Sequence, residues 1–391
     1  GWIAQTPPLH PMIAYAMGHF AKHIGQGEVC NDWFQRGASA APEYCFPWRL
    51  EEMVILRDAI ATNPEDSRAH YYLGNLLYDK GRAAEAVALW KESVRLDPAF
   101  PTPWRNLGLA AYNQQHDLDQ ALDYMQKAHK ADPQDARILL ELDQLNYRKA
   151  VAPIERLSIL DKHPEVVNRR EDLISQWIML NIRVGRAEKA LEAMKQRSFH
   201  PWEGGEGSVA SHYANAHWVL GRQALDAGKA EQALAHFLQG MEIPHNLGEI
   251  LGEEGTVHLR YFSALAYQAL GKAEEARQAF EEVITFSGDI SLAAYYKGLA
   301  LIQLGKKAEG RSLLRKMLQK ADELAETPPG SNYFYYGNPS PVFEDDPKKI
   351  QHYYFVFLGG LARLGLGDVT GGRSALAQVL AIHPTRLIAH E

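Results

Sequence analysis

Two stretches of this 391-residue chain gather chemically capable side chains outside any regular pattern. The first is Phe199-His200-Pro201-Trp202-Glu203-Gly204-Gly205-Glu206-Gly207-Ser208. Its three glycines permit close backbone approach, Trp202 offers a stacking face, and Glu203 and Glu206 offer acceptors or acids. That set suits a polyhydroxyl ligand, and two carboxylates can serve glycoside hydrolysis where separation and surroundings allow it. The plainer reading is a Gly-rich turn near Pro201, with Trp202 packed on the next helix and both glutamates solvated. The second stretch, Thr327 to Lys348, holds Pro328-Pro329-Gly330, Tyr333-Phe334-Tyr335-Tyr336-Gly337 and Phe343-Glu344-Asp345-Asp346. A connection of this length is uncommon and is usually functional or disordered, and its aromatic density argues against disorder. It reads as a loop whose tyrosines cover exposed core, or as a lid or docking surface. Asp345-Asp346 with Lys348-Lys349 reads as a solvated charge cluster.

Other chemistries find less support. Sixteen histidines invite a metal, but His212 and His217 are five apart and so off one face, no HExxH occurs, and the cysteines lack ligand spacing. Neither a metal nor a cofactor is expected. There is no GxSxG, no Walker loop and no GxGxxG, and the glycines near Gly204 follow a helix pattern instead of a strand. The chain is therefore expected to be non-enzymatic.

Composition narrows the partners. With 41 Lys+Arg against 48 Asp+Glu, a charge of -7 makes a nucleic acid an unlikely ligand, since such binding rests on neutralising phosphates. A hydrophobic fraction of 46% excludes disorder and collagen, and two cysteines exclude a disulfide scaffold. Cys30 and Cys45 read as reduced thiols, for which a cytoplasmic setting is the default expectation. No apolar run is long enough to span a membrane; Tyr353 to Leu366 is short and broken by Arg363. Gly1-Trp2-Ile3-Ala4 does not open a signal peptide, and the missing initiator Met suggests a piece of a longer protein.

The elements that must hold these segments announce themselves as a repeat. Leu73-Gly74 and Leu107-Gly108 stand 34 residues apart, as do Pro64 and Pro98. Gly81, Ala86 and Trp90 lie between these marks, and Ala121, Met125, Ala128 and Pro133 follow in the second copy after a one-residue insertion. This resembles the tetratricopeptide repeat (TPR), a pair of antiparallel helices with small residues where they cross, a turn glycine between them and a closing proline. Weaker copies run through Leu220-Gly221, Gly228, Ala233 and Phe237; Ala264, Gly271, Ala276 and Phe280; Gly298, Gly305, Gly310 and Leu314; and Gly360, Gly367, Gly372, Leu376 and Pro384. Each pair leaves an apolar face uncovered, so the units must stack. The expected fold is all-α, a right-handed TPR superhelix. It divides into an N-terminal helical pair (1-64, with helices over Pro11 to Lys22 and Pro47 to Thr62), two well-matched units (65-133), and two degenerate units (134-198). The second degenerate unit, Glu171 to Arg197, is expected to have a first helix one turn too long. A Gly-rich insert (199-210), three units (211-326), the aromatic and acidic insert (327-348) and a last unit (349-391) follow.

The resemblance implies a concave groove lined by positions 2, 5, 9 and 12 of the first helices. Those positions carry Arg68, Tyr71, Asn75 and Tyr78; Arg105 and Tyr112; Arg137 and Tyr147; Trp218 and Arg222; Tyr261; and Tyr295. Tyr and Arg commonly anchor interfaces, so a protein segment is the expected partner. A TPR carboxylate clamp is matched by Asn75, Asn106 and Arg137 but broken by Tyr71 and by Glu141, which repels an anion; the asparagines then read as inter-helix hydrogen bonders.

A closer resemblance rests on Tyr44-Cys45-Phe46-Pro47-Trp48-Arg49-Leu50-Glu51-Glu52, on Ala69-His70-Tyr71-Tyr72-Leu73-Gly74-Asn75-Leu76-Leu77-Tyr78-Asp79 and on His200 to Gly207. These look like the C-terminal TPR region of a bacterial family of unknown function whose long members carry a galactose-mutarotase-like β-sandwich ahead of the repeats. That likeness implies a missing N-terminal domain as partner and a carbohydrate-related role. His200, Trp202, Glu203, Glu206, Tyr333, Tyr335, Asp345 and Asp346 are the candidates for the shared surface. The expected function is a non-enzymatic scaffold for protein or interdomain binding through the groove and the two loops. The alternative is the accessory part of a carbohydrate-active enzyme, with Trp202, Glu203 and Glu206 completing a sugar site.

Overall fold

A computed structural model describes residues 9-202, 205-248, 251-328 and 342-383. Among these there are α-helices and short 3₁₀ turns and no strand, so the architecture is all-α, as expected. The chain forms two compact units that divide between Leu145 and Asn146. The first holds α1 (Pro11–His23), α2 (Gly27–Ser39), α3 (Leu50–Thr62), α4 (Ser67–Asp79), α5 (Ala83–Leu96), α6 (Pro101–Asn113), α7 (Leu118–Ala131) and most of α8 (Ala136–Arg148). The second holds α9 (Pro153–Leu160), α10 (Pro164–Val167), α11 (Glu171–Arg183), α12 (Ala187–Lys195), α13 (Ser208–Asp226), α14 (Ala230–Gln239), α15 (Val257–Ala269), α16 (Ala273–Ile284), α17 (Leu292–Gln303), α18 (Lys307–Glu326), α19 (Pro347–Leu366) and α20 (Val369–Ile382).

The pairing α4/α5 shows why the repeat needs its residues. A Cβ added to Gly74 would lie 2.5 Å from Trp90 Nε1 and 2.6 Å from Cδ1, so the indole of α5 lies directly on the α4 backbone. Gly81 reverses the chain at φ 74°, in the left-handed region that a side chain disfavours. The turn residue falls seven positions and the packing residue sixteen positions after the crossing residue. The same steps recur as Gly221/Gly228/Phe237, Ala264/Gly271/Phe280, Gly298/Gly305/Leu314 and Gly360/Gly367/Leu376, with Gly108/Met125 one residue longer.

Between pairs the apolar faces merge into shared cores. Tyr15, Leu56, Tyr72, Trp90, Phe100 and Leu107 form one in the first unit. Val257, Tyr261, Phe280, Val283 and Tyr296, and then Met317, Phe357, Leu361 and Val379, form two in the second. A buried polar contact helps to join α1 to α4: Asp66 caps α4 by accepting from the backbone N–H of Arg68 at 3.0 Å and of Ala69 at 2.9 Å. The Tyr15 hydroxyl donates to the same carboxylate at 3.0 Å.

Several details differ from the expected layout. The N-terminal region contains three helices, because residues 27-39 fold as α2 and pack against α1. Gly18, Gly25 and Phe34 repeat the steps of seven and sixteen, so α1/α2 is itself a repeat-like pair, with Phe34 Cδ1 2.4 Å from the Cβ position of Gly18. Helix α11 has 13 residues, the same as α4 and α6, with no extra turn; α13 is the longer helix, with 19. It starts at Ser208, so the last part of the stretch expected as a Gly-rich loop is helical.

Gly74→Ala forces the Trp90 ring or the α4/α5 spacing to shift and is expected to lower stability by about 1–3 kcal/mol. Gly27→Ala, where a Cβ meets nothing within 4 Å and the φ is not positive, is expected to change it little. Urea unfolding of both variants checks the contrast.

Candidate functional site

In the first unit, the predicted groove residues fall on α4, α6 and α8, and most are committed to one another. Tyr71 is buried, its ring 4.8 Å from that of Phe100, and desolvation raises its hydroxyl pKa. The Arg68 guanidinium lies 3.5 Å over the same Phe100 ring and 3.8 Å from Asp97. Asn75 accepts from Trp90 Nε1 at 3.0 Å and from Asn106 Nδ2 at 2.9 Å, the inter-helix role anticipated for the asparagines. Tyr78 is half-buried with its ring 5.2 Å from Trp90, and Tyr112 is half-buried on α6.

Glu141 governs the rest of this face. Its side chain is 2% exposed and receives Arg105 through two bonds, Nε at 2.6 Å and Nη2 at 2.5 Å. Arg137 adds a third at 3.2 Å while 55% of its side chain stays in solvent. The carboxylate that spoils an anion clamp is therefore the counter-ion that holds two arginines in place.

In the second unit, Trp218 and Tyr261 are buried, and the Arg222 guanidinium lies 4.9 Å from the Phe262 ring and 5.8 Å from that of Trp218. Tyr295 is half-buried, and desolvation pushes its hydroxyl up to about 12. His217, weighed above only as a metal ligand, and His258 sit in this aromatic column. His258 is 3% exposed, 5.6 Å from the Trp218 ring, and neither ring nitrogen has a hydrogen-bond partner among the described residues. His217 faces His236 across 3.2 Å. Burial pulls His217 and His258 down to about 4, so both are neutral in the folded state at neutral pH.

The two inserts are structured where described. Phe199 is buried, its N–H donates to the Asn246 carbonyl at 2.7 Å, and Asn246 Nδ2 donates to the carbonyls of Met194 and Arg197. His200 is 82% exposed, 3.6 Å from Glu171. The Trp202 ring is half-buried against Gly205, where a Cβ would sit 1.9 Å from Trp202 Cε2; the ring therefore packs within its own turn. Glu206 is exposed, and Glu203 lies outside the described residues. Tyr333 and Tyr335 lie outside them too. Of the expected solvated cluster, Asp346, Lys348 and Lys349 are exposed, but Asp345 is half-buried and paired. Asp345 takes a two-pronged bond from Arg148 at 2.8 and 2.6 Å, with the guanidinium 4.9 Å over the buried Phe343 ring, and Asp346 caps α19 through the Lys348 N–H at 2.9 Å. Tyr147 meets His383 Nδ1 in the same unit. Beyond these positions, Asp161, Asn168, Trp177, Lys189 and Arg197 rim a cleft of about 530 Å³. No sequence motif marks it, because its residues come from three helices, α10, α11 and α12, and the turns around them.

Residues 74-115 match the TPR repeat family, and residues 214-239 and 263-325 match tetratricopeptide-repeat families. The chain carries tetratricopeptide repeats. Over 144 residues it is 25% identical to the human protein O-mannosyl-transferase TMTC1, a match covering 34% of this chain and 16% of that protein. The chain thus spans about a sixth of that relative's length. Among solved structures, YrrB, described as a TPR protein with an unusual peptide-binding site, is 18% identical with a TM-score of 0.38 over 52% of this chain and 96% of its own. The Naa15/Naa10 complex bound to HypK-THB is 14% identical with a TM-score of 0.41 over 97% of this chain and 64% of that one. No helix of the described TPR residues is long and apolar enough to cross a membrane, and Cys30 and Cys45 are free and buried.

Two outcomes follow from this geometry. Arg105→Met leaves Glu141 buried beside only the exposed Arg137 and is expected to cost about 3 kcal/mol of stability, whereas Arg137→Ala costs under about 1 kcal/mol; chemical denaturation separates them. Because His217 and His258 are harder to protonate when folded than when unfolded, their contribution is whole above pH 6.5 and is lost as pH falls towards 4. His258→Phe, which also removes two unpaired nitrogens, should flatten that acid limb in melts recorded across the window.

Proposed function

We propose that this protein is a non-enzymatic scaffold that binds an extended protein segment along the first-helix face of its TPR units. The observation that carries the reading is the state of the polar groups on α4, α6 and α8. Arg105 and Glu141 neutralise one another and Asn75 and Asn106 are bonded, while Arg137 keeps more than half of its side chain in solvent beside them. Such a face is stiff, since its polar groups are already held, and it offers a cation to an incoming carboxylate or backbone carbonyl. A preorganised surface loses little side-chain entropy on binding, which favours recognition of a flexible strand. Tyr78 and Tyr112, half-buried on the same helices, supply aromatic area of the kind that anchors interfaces. Arg222 and Tyr295 supply the corresponding groups in the second unit. An N-terminal domain of a longer protein would be one source of such a segment.

The test is selection of a random-peptide display library on the protein, followed by calorimetry with the enriched peptides. At least one sequence is expected to bind and to lose about tenfold or more in affinity with Arg137→Ala, a change that leaves the fold standing. Failure to enrich any peptide, or enrichment indifferent to both Arg137→Ala and Arg222→Ala, removes the groove reading.

A second reading, as the accessory part of a carbohydrate-active enzyme, draws on the half-buried Trp202 ring and on the mannosyl-transferase relative. The ring packs against Gly205 yet stays half-buried, so part of it remains in reach of a sugar. Glycan-array binding that disappears in Trp202→Ala supports this reading; a blank array with the wild-type protein ends it.

A further inference from the structure

One cluster in the first unit has no part in the groove. On α1, His19 and His23 are four residues apart and so share a face, with ring centroids 4.4 Å apart. Opposite them on α3 stands Asp58. Its Oδ2 lies 2.7 Å from His19 Nδ1 and 3.0 Å from His23 Nε2, while Oδ1 accepts from Lys22 Nζ at 2.9 Å. Two imidazole nitrogens and one carboxylate oxygen thus converge within 4.8 Å of one another.

We propose that His19, His23 and Asp58 bind a first-row divalent transition-metal ion of the zinc class, which staples α3 onto the first helix pair. The donor set is chemically apt: imidazole nitrogen and carboxylate oxygen suit such ions, at metal–ligand distances of about 2.0–2.2 Å. Ligand atoms around a tetrahedral ion at those distances stand about 3.3 Å apart. The two oxygen–nitrogen separations must open by a few tenths of an ångström to admit one, and the two nitrogens, within 4.8 Å of each other, must settle at a similar spacing, movements that side-chain rotation supplies. Lys22 stays on Oδ1, away from the ion, and orients the carboxylate so that Oδ2 faces the two rings, as outer partners do in metal sites. His23 is 61% exposed and leaves a fourth position open to water or to a partner's side chain. His19 and Asp58 are 17% and 22% exposed, which fixes the site between the two helices instead of on the surface of one.

The stapling has a structural rationale. Helix α3 falls between the α1/α2 and α4/α5 pairs and packs on α1 and α4. An ion bridging Asp58 to α1 would hold it there more firmly than a carboxylate shared among three side chains.

The test is calorimetry of the full chain with Zn²⁺ at neutral pH after treatment with chelator, together with thermal melts with and without the ion. Saturable binding at one ion per chain is expected, with a rise in Tm. Both are expected to vanish in His23→Ala, whose exposed side chain can be removed without disturbing the fold, and in Asp58→Asn. His200→Ala, an exposed histidine elsewhere, should leave them unchanged. Circular dichroism at the start of each melt establishes that the variants are folded. Absence of one-site binding to the wild-type protein overturns the proposal. So does binding of equal strength in folded His23→Ala, which would place the ion on other histidines.

Discussion

The approach of two helix backbones across a residue that lacks a side chain is the contact on which the rest of the structure depends. Where Trp90 lies on Gly74, the α4/α5 pair is fixed in distance and in crossing. Everything attached to those helices then has a defined position. The same contact, with Phe, Leu or Met as the large partner, recurs across both units. The reason is geometric: a tight two-helix unit cannot bury both of its broad faces, and stacking identical crossings lets one unit cover the next. Departures from the pattern occur where the stack changes. Helix α3 interrupts the sequence of pairs, and the connection between α12 and α13 lengthens to hold the Phe199 turn against the chain near Asn246.

A repeat surface also has to satisfy its own polar groups before it can recognise anything else. Burying a carboxylate as deeply as Glu141 is unfavourable unless several donors reach it, and Arg105 and Arg137 supply them. The consequence for function is a division of labour among arginines that share one expected role. Arg68 and Arg105 are occupied by the fold, whereas Arg137 keeps more than half of its side chain in solvent. Arg148, a neighbour in sequence of the predicted groove residue Tyr147, is occupied as well, since it anchors the end of the second insert through Asp345.

Much of this was legible in the sequence, and the remainder was hidden for definite reasons. The steps of seven and sixteen residues from a crossing residue to its turn and to its large partner identify the helix pairs because sterics leave few residues that can serve there. Helix α2 escaped because the polar residues around Asn31 and Asp32 leave its span with few apolar residues, although Cys30, Trp33, Phe34 and Gly37 stand at i, i+3, i+4 and i+7 and Gly18, Gly25 and Phe34 carried the repeat signal. The pairing of Arg105 with Glu141 spans 36 residues and that of Arg148 with Asp345 spans 197, and no local pattern reports which charges will meet across a stack. The same limit made Asp345 look solvated.

The aromatic column of the second unit shows what such a stack tolerates. Trp218, His258, Tyr261 and Tyr296 occupy positions that a purely apolar core would give to leucine or phenylalanine, and His258 has no hydrogen-bond partner there among the described residues. An imidazole left without partners costs free energy through its lost hydration. It is retained in a neutral form because ring-on-ring contacts with Trp218 and Tyr296 offset part of that cost. A column built in this way is stable at neutral pH and vulnerable in acid, since protonation would place a buried charge between the Trp218 and Tyr296 rings. The constraint that makes helix pairs rigid therefore also decides which of their polar residues can respond to solution conditions. Residues held at the crossings cannot respond, whereas those stacked between pairs retain a second protonation state that the packing holds at bay.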